Sequence, residues 1–475
     1  MAFHFGTSGW RALIADEFTF AGVRRVTAAI AQLLREKGDA ERGVVVSYDT
    51  RFFADRFAWT AADELLRRGL AVKLTERDTP TPAVAHAVIR GDHGGALNLT
   101  ASHNPPQYCG LKYSPASGAP AMSAETKRIE ELANDPALRV EGQGPVELAE
   151  LKDKPGCELF DPHGPYTAAL EERVDRSTIA ADPPHVVVDC LYGTCRGYLP
   201  ELLMDCGCRV KVLHAHRDAY FGGHTPEPSG RSVGELCEAV RESGADVGLA
   251  CDGDADRFGV VDADGHYVDA NKIVSLIYWH LVEHQGLRGD VARSAATTHL
   301  LDALAQRFGA RVLQTPVGIK HLAARVLEDD ALVGVEESAG VCFRGHVPDK
   351  DGILACILVA EMLAVHGKGV RQLLEDIYMQ VGRRYHNGRL NLELTPELAP
   401  RIKEQLAGQA PETFAGVAVR EVDRTDGMKL LLADGSWAML RPSGTEPLIR
   451  FYAETHDEER LADLVRAARE LLGVD

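Results

Sequence analysis

Ala96-Leu97-Asn98-Leu99-Thr100-Ala101-Ser102-His103-Asn104-Pro105-Pro106 is the stretch from which the rest of the chain is read. The apolar run Ala96-Leu97-Asn98-Leu99 predicts a short buried strand, and Pro105-Pro106 keeps a helix from starting straight after it. Ser102 is thereby placed on a tight loop at the carboxyl end of a strand. Two readings of that loop are open from its residues. Ser and Asn serve turns by bonding to nearby backbone, and a small hydroxyl so placed also suits a nucleophile.

Outward from this strand, helical and strand patterns alternate over the first three quarters of the chain, which predicts strand-helix-strand units with mainly parallel sheets. Val23, Val26, Ile30, Leu33 and Leu34 recur at helical spacing and Gly38 closes that helix; Val44-Val45-Val46 follows as a buried strand. The alternation returns twice. Val186-Val187-Val188-Asp189 leads through Gly193 into a helical Tyr198 to Met204, and Ser294 to Thr298 leads into a helical Leu300 to Phe308. The pattern suggests one α/β unit used three times, although its self-similarity in sequence is weak. Breaks fall at Gly142 to Gly156, at Asp161-Pro162-His163-Gly164-Pro165 and around Gly382 to Asn387. From Arg389 onward short strands predominate, with one closing helix from Glu458 to Leu472.

At 475 residues, a prior of about 150 residues per domain predicts three or four domains. A hydrophobic fraction of 45% with 26% charged residues is that of a globular protein, and the formal net charge of −18, from 70 acids against 52 bases, argues against nucleic acid as partner. No stretch approaches the roughly 20 apolar residues of a membrane span. The amino terminus lacks the basic-then-apolar pattern of a leader, so a cytoplasmic protein without a membrane partner is expected. Ten scattered cysteines with no Cys-x-x-Cys pair predict free, mostly buried thiols.

Three further loops start where an apolar run ends. Cys251-Asp252-Gly253-Asp254-Ala255-Asp256-Arg257 follows Val247-Gly248-Leu249-Ala250. Its three alternate carboxylates can converge on one hard cation, and ligation by oxygen alone favours magnesium or calcium over zinc. A calcium EF-hand is excluded because the sixth position is Arg257 where glycine is needed and the twelfth is Ala263 where glutamate is needed. Arg257 is suited to hold a phosphate beside the cation. Gly334-Val335-Glu336-Glu337-Ser338-Ala339-Gly340 presents acceptors and a donor for vicinal sugar hydroxyls, or equally a helix cap. Arg441-Pro442-Ser443-Gly444-Thr445-Glu446-Pro447 is a small-residue loop with a leading arginine, read as a phosphate cradle or as a simple turn. Ligands of open α/β sheets gather outside the carboxyl ends of the strands. Four such loops facing one cleft would supply a nucleophile, a metal, hydroxyl acceptors and a phosphate clamp, the inventory for phosphoryl transfer on a phosphorylated sugar.

On these motifs, with Gly6-Thr7-Ser8-Gly9-Trp10-Arg11 at the start, the chain resembles the α-D-phosphohexomutase superfamily, the phosphoglucomutases and phosphomannomutases, over nearly its whole length. The resemblance implies a heart-shaped molecule of four domains around a central cleft: three related α/β domains and a C-terminal α+β domain of TATA-binding-protein-like fold. Set against the breaks in the chain, it divides the sequence into 1–160, 161–268, 269–383 and 384–475. It implies interconversion of hexose 1-phosphate and 6-phosphate through a 1,6-bisphosphate, with glucose 1,6-bisphosphate as activator. Ser102 would carry the phosphoryl group, and Asp252, Asp254, Asp256 and phosphorylated Ser102 would hold magnesium. Lys112 and Arg11 would handle the proton and the moving phosphoryl group, His103 would orient the phosphate or satisfy the loop backbone, and Arg257 would steady the phosphoserine. Substrate contacts are expected from Glu336, Ser338, Gly318, Lys320, His321, Lys350, Arg441, Ser443, Gly444 and Thr445. Oligomeric state is not legible.

The sugar loop reads Glu-Glu-Ser-Ala-Gly, nearer the Glu-Glu-Ser form of phosphoglucomutases than the Glu-Met-Ser-Gly-His of dual phosphomannomutases or the Glu-Gln-Ser of phosphoglucosamine mutases, so glucose is the expected sugar. Ala339 and Cys109 depart from the usual pattern and leave mannose phosphate open. Two rivals explain less. A phosphatase of the haloacid dehalogenase type leaves Ser102 and the loop from Arg441 to Pro447 idle, and a non-catalytic sugar-phosphate binder should have lost Ser102 or an aspartate.

Overall fold

The computed structural model describes residues 2–6, 9–393, 398–442 and 448–473. The first sheet holds β1 (Trp10–Leu13), β2 (Val44–Tyr48), β3 (Val72–Thr75), β4 (Gly95–Leu99), β5 (Tyr108–Pro115) and β6 (Cys157–Phe160) in the order β1-β5-β4-β2-β3-β6. The second holds β7 (His185–Asp189), β8 (Arg209–Leu213), β9 (Val247–Cys251), β10 (Phe258–Asp262) and β11 (Tyr267–Val268) in the order β11-β10-β9-β7-β8. The third holds β12 (Val291–Ser294), β13 (Val312–Thr315), β14 (Val333–Val335) and β15 (Val341–Phe343) in the order β13-β12-β14-β15. Valine-rich strands such as β2 and β7 lie between helices, which is why they read as continuous apolar runs and not as alternation. The helix Phe20–Lys37 starts where Thr19 accepts from the amide of Gly22 and stops at Gly38, whose φ of 79° takes the left-handed turn without cost.

The three sheets share one topology. In each, a first strand pairs in parallel with the second and the third, and a fourth returns antiparallel to the third: β2, β3, β4 and β5; β7, β8, β9 and β10; β12, β13, β14 and β15. The Ser102, Asp252 and Glu336 loops are therefore equivalent hairpin tips. The repeat that is faint in sequence is explicit in strand order, because strand pairing needs only apolar residues at matching places, whatever their identity.

The fourth sheet is antiparallel: β16 (His386–Glu393), β17 (Thr413–Phe414), β18 (Val417–Asp423), β19 (Met428–Leu432), β20 (Trp437–Pro442) and β21 (Leu448–Thr455), ordered β16-β21-β20-β19-β18-β17. Its closing helix runs Arg460–Leu472. A second helix, Leu398–Ala407, corrects the expectation of strands with one closing helix. Pro400 sits in the first turn, where its missing N–H costs nothing, while Ile402 and Leu406 supply the buried face. β14 runs to Val335, so Gly334 and Val335, read from the sequence as part of the loop, belong to the strand.

The helix Gly352–His366 is apolar on all sides because it lies in a core shared by the second and third sheets. Among the described residues no single helix is long and apolar enough to cross a membrane. At its start the amide of Gly352 donates to Ala255 O (3.1 Å) in the aspartate loop. A Cβ at Gly352 would lie 2.3 Å from Arg257 O, so only glycine lets the helix approach that loop.

The C-terminal domain meets the third through Lys429 and Glu454, both buried. Glu454 accepts from the amide of His299 (3.0 Å), Trp437 Nε1 (2.8 Å) and Asn387 Nδ2 (2.9 Å). Lys429 Nζ donates to Ala295 O (2.6 Å), lies 2.9 Å from His299 Nε2 and sits 4.0 Å from the Trp437 ring centre. Burial, helped by Arg293, pushes this ammonium down to about 7 from the ordinary 10.5. Between those values the unfolded chain binds more protons than the folded one, so this residue's contribution to stability rises with pH. The difference in melting temperature between wild type and Lys429→Met is expected to change in favour of wild type from pH 7 to pH 9; a flat difference would contradict the burial argument.

Candidate active site

Ser102 sits at the tip between β4 and β5 with φ 51°, a left-handed conformation that non-glycine residues seldom adopt. The loop is built to hold it there. Thr100 Oγ1 donates to Asp49 Oδ2 (2.5 Å) and accepts from the amide of Ser102 (2.8 Å). Ser102 Oγ, almost wholly buried, donates to Asp252 Oδ2 at 2.7 Å and lies 3.3 Å from His103 Nδ1. Burial, with Arg257, Arg11 and Lys350 nearby, depresses His103 well below the ordinary imidazole range, so its ring is neutral and stands beside the hydroxyl.

The tip between β9 and β10 carries Asp252, Asp254 and Asp256, all buried, with one oxygen of each within 4.8 Å of the others. Ala255 at φ 58° makes the turn that lets them converge. Asp252 Oδ1 accepts from the amide of Arg257 (3.0 Å). Asp254 Oδ2 accepts from Thr81 Oγ1 (2.6 Å) and Lys112 Nζ (2.5 Å), and Asp256 Oδ2 lies 3.1 Å from the ammoniums of both Lys112 and Lys350. Burial pushes Asp252 well above the carboxylate range, and Asp256 and Asp254 add to the rise. Burial acts on Asp256 in the same sense, but Lys112, Lys350 and Arg257 overcome it and hold that group well below. Asp254 Oδ1 and Asp256 Oδ1 are buried with no hydrogen-bond partner among the described residues. Unspent carboxylate oxygens in a buried all-oxygen cluster fit a hard divalent cation.

Lys112 lies on β5, and burial would lower it; Asp254 and Asp256 prevail and raise it above the ordinary lysine value. In this arrangement it is a charged donor. Arg11, on β1, donates from Nη1 to Asn104 Oδ1 (2.7 Å), and Arg257 Nη1 lies 3.2 Å from Glu227 Oε1. The Nε of each is buried and unpartnered among the described residues, leaving donors for an anion.

At the tip between β14 and β15, Ala339 has φ 66°. The two acids there part company. Glu336 is buried, raised by that burial, with Ser338 Oγ 3.5 Å away, whereas Glu337 accepts from Ser294 Oγ (2.9 Å) inside its own domain. Arg257 and Gly340 form a backbone bridge that joins the aspartate and glutamate tips. A Cβ at Gly340 would lie 2.5 Å from Lys350 Cδ and 2.9 Å from Glu336 Oε2, so glycine admits both side chains. Gly318, at φ 133°, precedes the helix Ile319–Glu328. From that helix Lys320 Nζ donates to Ser123 Oγ (2.7 Å) of the first domain, and burial lowers both Lys320 and His321. Arg441 Nε donates to Asp426 Oδ2 (2.6 Å), which also accepts from the amide of Val317 (2.9 Å). Ser443, Gly444 and Thr445 lie outside the described residues.

The structure thus brings together Ser102, His103, Arg11, Lys112, the three aspartates, Arg257, Glu336, Ser338 and Lys350, while Lys320, His321 and Arg441 stand on neighbouring elements. Sequence reasoning passes over Asp49, Arg51 and Thr81. The first two lie just past the end of β2, the same placement that singles out the other loops, so a signal for them is present in the sequence.

Models of the phosphoglucomutase/phosphomannomutase family match the whole series of domains: alpha/beta/alpha domain I at residues 2–139, domain II at 164–265, domain III at 269–381 and the C-terminal domain at 397–471. A Thermococcus kodakarensis protein named phosphoglucomutase/phosphomannomutase is 31% identical, covering 98% of each chain. A Methanopyrus kandleri protein named as a phosphoglucosamine mutase is 30% identical, covering 98% of this chain and 96% of its own. The crystal structure of a Thermus thermophilus protein named as a phosphomannomutase superposes with a TM-score of 0.86 at 32% identity, covering 100% of this chain and 99% of that one. The four-domain architecture and the buried cluster of strand-end loops accord with these likenesses, and the chain belongs to the phosphoglucomutase/phosphomannomutase family of phosphohexomutases.

Proposed function

We propose that the enzyme interconverts glucose 1-phosphate and glucose 6-phosphate through a phosphorylated Ser102 and glucose 1,6-bisphosphate. The observation that carries this reading is the 2.7 Å contact of Ser102 Oγ with Asp252 inside a buried triad of acids. Asp252, Asp254 and Asp256 would hold magnesium, which when bound supplies positive charge to offset that of the phosphoryl group. Arg11 and Arg257 offer unspent donors to the transferring oxygens, where charge spreads in the transition state. Glu336 and Ser338 accept and donate to the sugar hydroxyls. The free state of all ten cysteines supports a reducing compartment, the cytoplasm.

Glucose is favoured by the Glu336-Glu337-Ser338 tip. Relatives named as phosphoglucosamine mutases make glucosamine 1-phosphate the competitor to measure. With glucose 1,6-bisphosphate as activator, kcat/KM for glucose 1-phosphate is expected to exceed that for mannose and glucosamine 1-phosphates by about tenfold, which corresponds to about 1.4 kcal/mol of discrimination. A lead for either competitor would replace the sugar in this proposal and leave the mutase chemistry standing.

A further inference from the structure

Arg51 lies directly under the nucleophile loop and is fully buried. Its Nη2 donates to Ser102 O and to Asn104 O, both at 2.6 Å; its Nη1 donates to Pro105 O and to Tyr108 O, both at 2.9 Å; its Nε lies 3.1 Å from Asp49 Oδ2. A guanidinium has five N–H groups, and all five are used. The same Asp49 oxygen takes the Thr100 hydroxyl that holds the Ser102 amide. Asn104, whose carbonyl Arg51 fixes, turns its side chain to Arg11. The second domain covers this assembly: Arg217 donates to Thr50 O (3.2 Å) and Arg51 O (3.3 Å), and the Phe221 ring centre lies 5.0 Å from the guanidinium carbon.

We infer that Arg51 is the positioning residue of the phosphoryl-transfer step, a fork that fixes both the Ser102 hydroxyl and, through Asn104, Arg11. The inference rests on the reading of Ser102 as the phosphoryl carrier. Four carbonyls of one short loop aimed at one cation fix the loop from Ser102 to Tyr108, and the guanidinium has no N–H left over for a ligand. Lysine cannot replace it, because an ammonium offers three donors from a single point in place of a planar fork. In the step concerned, a P–O bond of glucose 1,6-bisphosphate breaks, the Ser102 Oγ–P bond forms, and the serine proton ends on the released sugar oxygen.

The test measures single-turnover phosphorylation of Ser102 by glucose 1,6-bisphosphate, read by intact mass and normalised to folded protein, beside the calorimetric Kd for glucose 1-phosphate. In Arg51→Lys, phosphorylation is expected to slow by about 100-fold, the scale set by a misplacement of about 1 Å, while Kd changes less than about threefold. Thr100→Val, a milder change should the lysine variant not fold, is expected to slow phosphorylation by about tenfold with the same unchanged Kd, tenfold being one lost hydrogen bond of about 1.4 kcal/mol. Phosphorylation within about twofold of wild type, or parallel losses in phosphorylation and sugar binding in Thr100→Val, overturns the inference. A wild-type enzyme that never gains phosphate at Ser102 overturns the phosphoserine reading itself, and the inference with it.

Discussion

Replacing Ser102 with alanine is expected to lower turnover of glucose 1-phosphate by about 10,000-fold or more, the scale of loss when a covalent nucleophile is removed. The fold should survive. Alanine is no worse than serine at φ 51°, and the lost bond is one hydroxyl to one carboxylate, about 1 to 2 kcal/mol, with Arg51 and Thr100 still holding the backbone of the tip. A coupled assay with the bisphosphate present, together with a melting curve, checks both halves. Intact mass adds a third measure: one phosphoryl group on wild type after incubation with glucose 1,6-bisphosphate and none on Ser102→Ala. Near-wild-type turnover in a clean preparation of the variant would sink the proposed mechanism.

The second large effect separates stability from activity. Asp252 is buried beside two other acids and is pushed well above its ordinary range, so its charged form is disfavoured in the cation-free protein. Asp252→Asn removes that repulsion while leaving an acceptor for the amide of Arg257. In the presence of chelator the variant is expected to melt above wild type by a few degrees, about 1 to 2 kcal/mol. Its activity should be about 1,000-fold lower or worse, because the triad loses one anionic oxygen donor for the cation. Added magnesium should raise the melting temperature of wild type by mass action and leave the variant nearly unmoved. Chelation should silence wild type and magnesium should restore it. A variant that is less stable than wild type in chelator, or that retains activity, would show that the three acids do not act as a cation site.

How much of this is legible in the residues alone depends on how far apart the partners lie in sequence. The strand-end position of Ser102 and of the three aspartates follows from a few consecutive residues, since an apolar run and a turn are local facts. The division of labour between Glu336 and Glu337 does not, because it depends on Ser294 reaching Glu337 from another strand end. The state of Lys112 is hidden for the same reason: the family resemblance marks it for proton handling, but its ammonium is fixed by Asp254 and Asp256, more than a hundred residues away. Arg51 escapes notice although its position just past the end of β2 is in plain sight. Nothing in a residue string says that four of the Arg51 N–H groups converge on one loop and the fifth on Asp49. The helix Leu398–Ala407 is absent from the reading of short strands after Arg389, although Pro400 in its first turn is compatible with a helix.

The hairpin placement of the tips has a consequence for changing the enzyme. Each is clamped by two neighbouring strands of one sheet, as Val335 opposite Val341 clamps the sugar tip. Residues can therefore be exchanged between those two valines without slipping the ladder, provided the number of residues is kept. The loop proposed to meet the sugar is in this sense a cassette, and a library confined to positions 336 to 340, with Gly340 held fixed, could search for new hexose preferences on an unaltered frame.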